Sequence, residues 1–204
     1  MKKRIIPLIL TALCVLTLIT GAVLARQQQT LAGKLVRLHV VANSDSDDDQ
    51  AVKLRVRDAV LDMTQTILRD ADDPVAALGA HLAEIEQAAG ETLRESGCPL
   101  PVTVTLQNEL FPRRDYDTFS LPSGVYRTLR VTIGAGEGHN WWCVVFPALC
   151  MSASADELEQ AAETAGITDS ELRLITEDGA AYQLKFRTVE LFEQLREKLT
   201  VRGT

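Results

Sequence analysis

Apolar residues recur along this chain with two different periods, and the switches between them mark its elements. Lys34 to Ala42 (KLVRLHVVA) mixes alternation with β-branched residues and reads as a strand, placed mid-sheet by its apolar content. From Asp49 to Leu68, Val52, Val56, Val60, Met63 and Ile67 recur three or four positions apart, which predicts an amphipathic helix. Leu54, Leu61 and Leu68 form a second line on roughly the opposite side, so this helix needs two apolar neighbours: the sheet, and either another helix or a partner protein.

Asp72-Asp73-Pro74 opens a second helix, with aspartate at the N-cap and proline at the first helical position, where its missing N–H costs nothing. Val75, Leu78, Leu82, Ile85, Ala89 and Leu93 give it one buried stripe, ended by Gly97. Pro101 to Leu110 alternates as a strand. Gly124 to Ile133 and Asn140 to Phe146 read as two more, joined by a glycine-rich hairpin connection over residues 134–139. Ser154 to Ala165 reads as an acidic helix, Ala181 to Phe186 as a strand and Val189 to Leu199 as a terminal helix. This order predicts an α+β fold, a mostly antiparallel mixed sheet with helices packed on one face, in a single domain over residues 34–204.

The first residues stand apart from that domain. Met1-Lys2-Lys3-Arg4 is basic and Ile5 to Ala25 carries no charge, so residues 1–25 are expected to be a signal peptide or a membrane anchor, followed by a linker at 26–33. The small residues of Val23-x-Ala25 offer a cleavage position and favour export; in either case the positive end stays cytoplasmic and the domain lies outside.

A net charge of −7, which deepens if Lys2, Lys3 and Arg4 are removed, argues against a nucleic-acid partner, because phosphate binding needs clustered basic charge. Cys14 lies in the apolar segment, which leaves Cys98, Cys143 and Cys150 for an oxidising exterior. In a straight strand Cys143 and Cys150 would lie about 23 Å apart, so a bridge between them needs the chain to fold back after Phe146. Pairing of either with Cys98, or free buried thiols, are the alternatives.

Chemically, the densest stretch is HVVANSDSDDDQ, His39 to Gln50. Its carboxylates and imidazole resemble a metal or acid–base set, but Asp47, Asp48 and Asp49 are consecutive and cannot face one point. Helix initiation explains more residues: Ser46 or a nearby aspartate caps, and the acids sit at the positive end of the helix dipole. Gly134, Gly136 and Gly138 precede a strand rather than a helix, which argues against a phosphate loop. No local signature places His39 or His139 beside a thiol for cysteine catalysis. Trp141 and Trp142 are consecutive and must point to opposite faces of a strand, so that both are covered or one is left exposed for binding.

RLHVVANSDSDDDQAVKLRVRDAVL (37–61), LPSGVYRTLRVTIGAGEGHNWWCVVFPALC (121–150) and the terminal VELFEQL (189–195) resemble the stage II sporulation protein R family of endospore-forming bacteria. The resemblance implies a signal rather than a catalyst. Members are exported from the forespore into the space between it and the mother cell, where they trigger a membrane aspartic protease that processes the precursor of sigma-E. It brings no catalytic residues, cofactor, metal or small-molecule substrate. The expected contact face is Asn43, Ser44 and Asp45 with Glu137, His139, Asn140 and one of Trp141 and Trp142, polar residues at strand ends where binding loops sit. The rival readings are a small secreted hydrolase using Asp45, Asp49 and His39, and a membrane-tethered envelope-binding module that keeps residues 1–25.

Overall fold

The structure is a computed structural model that describes residues 2–150 and 154–176, with the backbone alone over 2–13. The expected strand at 181–186 and terminal helix at 189–199 lie outside the described residues. The chain forms an α+β fold. Its elements in order are α1 (Lys2–Gly33), β1 (Val36–Val41), α2 (Asp47–Leu68), α3 (Pro74–Ala80), α4 (Leu82–Glu95), β2 (Val102–Phe111), β3 (Arg114–Asp115), β4 (Ser120–Leu121), β5 (Gly124–Ile133), β6 (Asn140–Phe146), α5 (Ala155–Thr164) and α6 (Asp169–Thr176).

Four strands make a mixed sheet in the order β2-β5-β1-β6, and β3 and β4 form a small ribbon of their own. β1 runs parallel to β5 and antiparallel to β6, and β2 runs antiparallel to β5. The mid-sheet position expected for β1 is therefore found. The hairpin expected between β5 and β6 is not: β1 lies between them, and the glycine loop steps over its end. The reason is β1 itself, whose six residues are all buried and take a ladder on each side.

Burial of β1 also corrects the expectation of helices on one face. Val36, Leu38 and Val40 meet the apolar stripes of α2 and α4, among them Val56, Val60, Ile85, Ala89 and Leu93. The opposite face is covered as well, by Leu31 of α1 and Leu35 just after it, Phe119 in the turn of the ribbon and Leu121 of β4, Leu158 of α5 and Ile175 of α6. A strand whose alternate residues are all buried needs apolar cover on both sides of the sheet.

Two further differences are local. The stripe from Val75 to Leu93 is present, but His81 splits it into α3 and α4: its backbone N–H reaches Leu78 O at 3.2 Å and its Nδ1 lies 2.8 Å from Ala77 O, tightening the turn. Residues 26–33, expected as a linker, continue α1, because Leu31 is buried and Gln28 Nε2 donates to Ser123 O at 2.5 Å. Among the described residues, no helix is long and apolar enough to cross a membrane.

After Phe146 the chain turns back through a cis Phe146–Pro147 bond, and Leu149 N donates to Val144 O at 3.3 Å. This brings Cys143 and Cys150 to a Cα separation of 5.0 Å in a disulfide, while Cys98 stays free. Closing a loop of seven positions removes about 2–3 kcal/mol of denatured-chain entropy. Replacing both cysteines by alanine should lower unfolding free energy by about that amount in urea denaturation; an unchanged midpoint would contradict it.

Candidate functional site

The acidic stretch after β1 does begin a helix. Ser46 is the N-cap of α2, its Oγ accepting from Asp49 N at 3.2 Å, and Asp47, Asp48 and Asp49 occupy the first turn. There they oppose the positive end of the helix dipole. Asp49 turns back to receive Asn43 Nδ2 at 2.9 Å and Ser44 Oγ at 2.5 Å. Those bonds, Ser44 first and Asn43 second, hold its carboxyl below the usual range. Gln50 closes the turn by donating to Ser44 O at 2.8 Å.

The glycine loop docks on this turn. Ala135 N donates to Asn43 Oδ1 at 2.9 Å, Glu137 N to Asn43 O at 3.2 Å and Gly138 N to Ala42 O at 3.0 Å. His139 N donates to Asp45 Oδ1 at 2.6 Å, and the His139 ring pairs with the same carboxylate. Lys53 of α2, itself buried, donates to His139 O at 3.0 Å and Gln50 Oε1 at 2.5 Å, and burial lowers its pKa against the pull of Asp45. Two glycines make the approach feasible. Gly134 takes a φ of +56° against Asn43, and at Gly138 a Cβ would run into the Ser44 carbonyl.

Asn43, Ser44, Asp45, Glu137, His139 and Asn140 are thus brought to one rim, with the side chains of Asp45, Glu137, His139 and Asn140 exposed. Trp141 and Trp142 follow on β6 and point to opposite faces, both half-buried. Trp141 lies under the Arg57 guanidinium, 4.2 Å from its ring, and Trp142 stacks on His39 at 3.8 Å.

His39 joins a network that sequence reasoning missed. Its Nδ1 lies 2.8 Å from Glu109 Oε1 and its Nε2 2.8 Å from Asn140 Oδ1, while Arg130 Nη1 donates to Glu109 Oε1 at 2.6 Å. Burial is the largest influence and lowers the imidazole pKa; Asn140 and Glu109 pull it up and Arg130 opposes them. Beside it, Arg37 is fully buried among Phe111, Tyr116 and Tyr126 and donates to Cys143 O at 3.0 Å and Tyr116 Oη at 2.7 Å. Arg37 and His39 stand two apart on one strand face, and that polar pair inside an apolar run was the available signal.

The hydrolase set does not assemble. Both ring nitrogens of His39 face Glu109 and Asn140, Asp45 is bound to His139, and Asp49 to Asn43 and Ser44. Among the described residues, no three His, Cys, Asp or Glu side chains converge in a way that could hold a metal.

Comparison with known proteins gives one consistent result. Residues 32–156 match the family model of stage II sporulation protein R. The chain is 32% identical over 164 residues to the stage II sporulation protein R of Bacillus subtilis (strain 168), covering 74% of this chain and 71% of that relative. No solved structure matches it.

The lowered pKa of His39 fixes the sign of a pH effect. As pH falls through about 6.5, the ordinary value, the unfolded imidazole takes up a proton while the folded one stays neutral, so stability falls with pH. The urea midpoint should therefore drop as pH is lowered through that range, with a shallower slope in His39→Gln; equal slopes in both proteins would contradict this.

Proposed function

Because the chain belongs to the stage II sporulation protein R family, we propose that it is an exported signalling protein of sporulation that acts by binding. Residues 1–25 direct export across the forespore membrane, and the domain then stands in the intermembrane space. Its partner is the membrane aspartic protease that processes the sigma-E precursor, and binding favours that protease's active arrangement.

The observation that carries this reading is the rim where Asp45 and His139, 94 positions apart in sequence, meet through backbone and side-chain bonds. A surface fastened this way loses little conformational freedom on binding, so more of its contact energy is left to discriminate between partner states. Energy is what the role demands. A ligand shifts an equilibrium only through differential affinity, and turning about 1:99 into 99:1 takes roughly 5.5 kcal/mol. Asp45, Glu137, His139 and Asn140 supply polar contacts, and Trp141 and Trp142 behind them supply the aromatic area on which interface energy concentrates.

Co-production of this chain with the protease and its precursor in a non-sporulating host tests the reading. Precursor cleavage should require this chain, and Asp45→Ala, Glu137→Ala and Trp141→Ala should each reduce it by about tenfold, the effect of roughly 1.4 kcal/mol of lost contact. Cleavage that proceeds equally without the chain would overturn the function, and full activity in all three variants would remove the contact face.

A further inference from the structure

Of the two edge strands, β6 has outward carbonyls already taken by Leu149 N and Tyr116 Oη, whereas β2 is open from Leu106 to Leu110. Two hydrogen bonds fix which residues of β2 face outward. Pro101 O accepts from Gly134 N at 2.8 Å, extending the ladder with β5, and Val104 N turns the other way to donate to Glu86 Oε2 at 2.9 Å. Backbone direction alternates along a strand, so the odd-numbered residues of β2 bond to β5 and the even-numbered ones face out. Among the described residues, the outward N–H and C=O groups of Leu106, Asn108 and Leu110 have no partner.

The side chains of this stretch complement a second copy of themselves. Leu110 and Val125 face each other across β2 and β5 and are 69% and 60% exposed, at the end of the sheet face that α2 and α4 cover elsewhere. A second β2 laid antiparallel about a two-fold axis at Asn108 sets Leu110 of each copy against the half-buried Leu106 of the other, on that same face. On the opposite face Gln107 of each copy meets Glu109 of the other, and the Glu109 charge is already matched by Arg130. The backbone pairs of this register, Leu106 with Leu110 and Asn108 with Asn108, use only the free outward groups. Pairing then stops where Val104, whose N–H Glu86 holds, comes opposite Pro112, which has none. Sliding the register two residues one way puts Glu109 opposite Glu109, and the other way it requires the N–H of Val104. A patch that fits its own copy is what a two-fold dimer needs.

We propose that the chain forms a symmetric dimer through residues 106–110 of β2, which joins two four-stranded sheets into one with Asn108 on the two-fold axis. This goes beyond the messenger reading and does not depend on it. The polar rim lies at the other end of the strands, past the pair Val102 and Ile133 where the glycine loop begins. The dimer therefore presents two rims and covers neither.

Sedimentation equilibrium of the full chain in density-matched non-ionic detergent, with micelles in excess over chains, tests this. The chain should pass from monomer to dimer below roughly 0.1 mM, the range of a small interface. Leu110→Lys and Gln107→Glu, both at exposed positions, should each weaken association about tenfold, whereas Gln107→Lys, which sets a cation against Glu109, should not. Urea midpoints matching the parent chain's check that these variants fold. In a background of Cys14→Ser and Cys98→Ser, Asn108→Cys should cross-link to a dimer on mild oxidation, because facing Cα atoms about 5.5 Å apart lie within disulfide reach, and Thr103→Cys should not. A monomer up to about 0.1 mM, equal association of Gln107→Glu and Gln107→Lys, or equal cross-linking at positions 103 and 108 would overturn the proposal.

Discussion

The fold depends on β1 being buried on both faces and paired on both edges. Val36, Leu38 and Val40 form one wall of the layer beneath α2 and α4, while Arg37 and His39 point into the other layer. With β5 on one edge and β6 on the other, any connection from β5 to β6 must pass over an end of β1. That crossing loop meets the turn that leaves β1 for α2, and the meeting of the two creates the polar rim. The candidate site is thus a consequence of strand order before it is a consequence of particular side chains.

Burying polar groups in the second layer fits the same constraint. Among the described residues Arg37 has no carboxylate partner; aromatic rings, a tyrosine hydroxyl and a backbone carbonyl surround its charge, and burial lowers its pKa. His39 connects Glu109 on β2 to Asn140 at the start of β6, spanning the sheet from one edge strand to the other. These groups fix how β6 and the β3–β4 ribbon sit. They also place Trp142 against His39, so the aromatic part of the proposed contact surface is held from inside the protein.

Much of the local structure was legible because it rests on short-range chemistry. Ser46 caps α2, Asp73 and Pro74 open α3, and Ser154 with Glu157 forms a capping box, all within single turns of chain. The distance argument named what a Cys143–Cys150 bridge requires, a chain folded back after Phe146, but left the pairing open until the fold supplied that turn, and the two tryptophans diverge as strand alternation requires. What escaped was long-range or weakly marked. Nothing near residues 134–139 shows that a strand 90 or so positions earlier will separate β5 from β6, a matter of register and topology. Glu109 and Arg130 meet His39 only once three strands are aligned. The helix α6 was signalled by Thr168 and Glu171, whose side chains exchange bonds with each other's backbone N–H groups, but its apolar stripe is short. The residues of the proposed contact face were singled out because polar side chains crowd the ends of apolar strands, and the fold brings those ends to one rim.

The central claim is that the loop over β1 is fastened to the turn below it, so that the chain presents a surface already in its binding arrangement. Native-state amide hydrogen exchange at Ala135, Glu137, Gly138 and His139 tests this most directly, since each of these N–H groups has its acceptor in residues 42–45. The account predicts protection approaching that of the β1 amides, lost only when larger parts of the sheet open. Exchange at the rate of an unstructured loop, with β1 still protected, would contradict it.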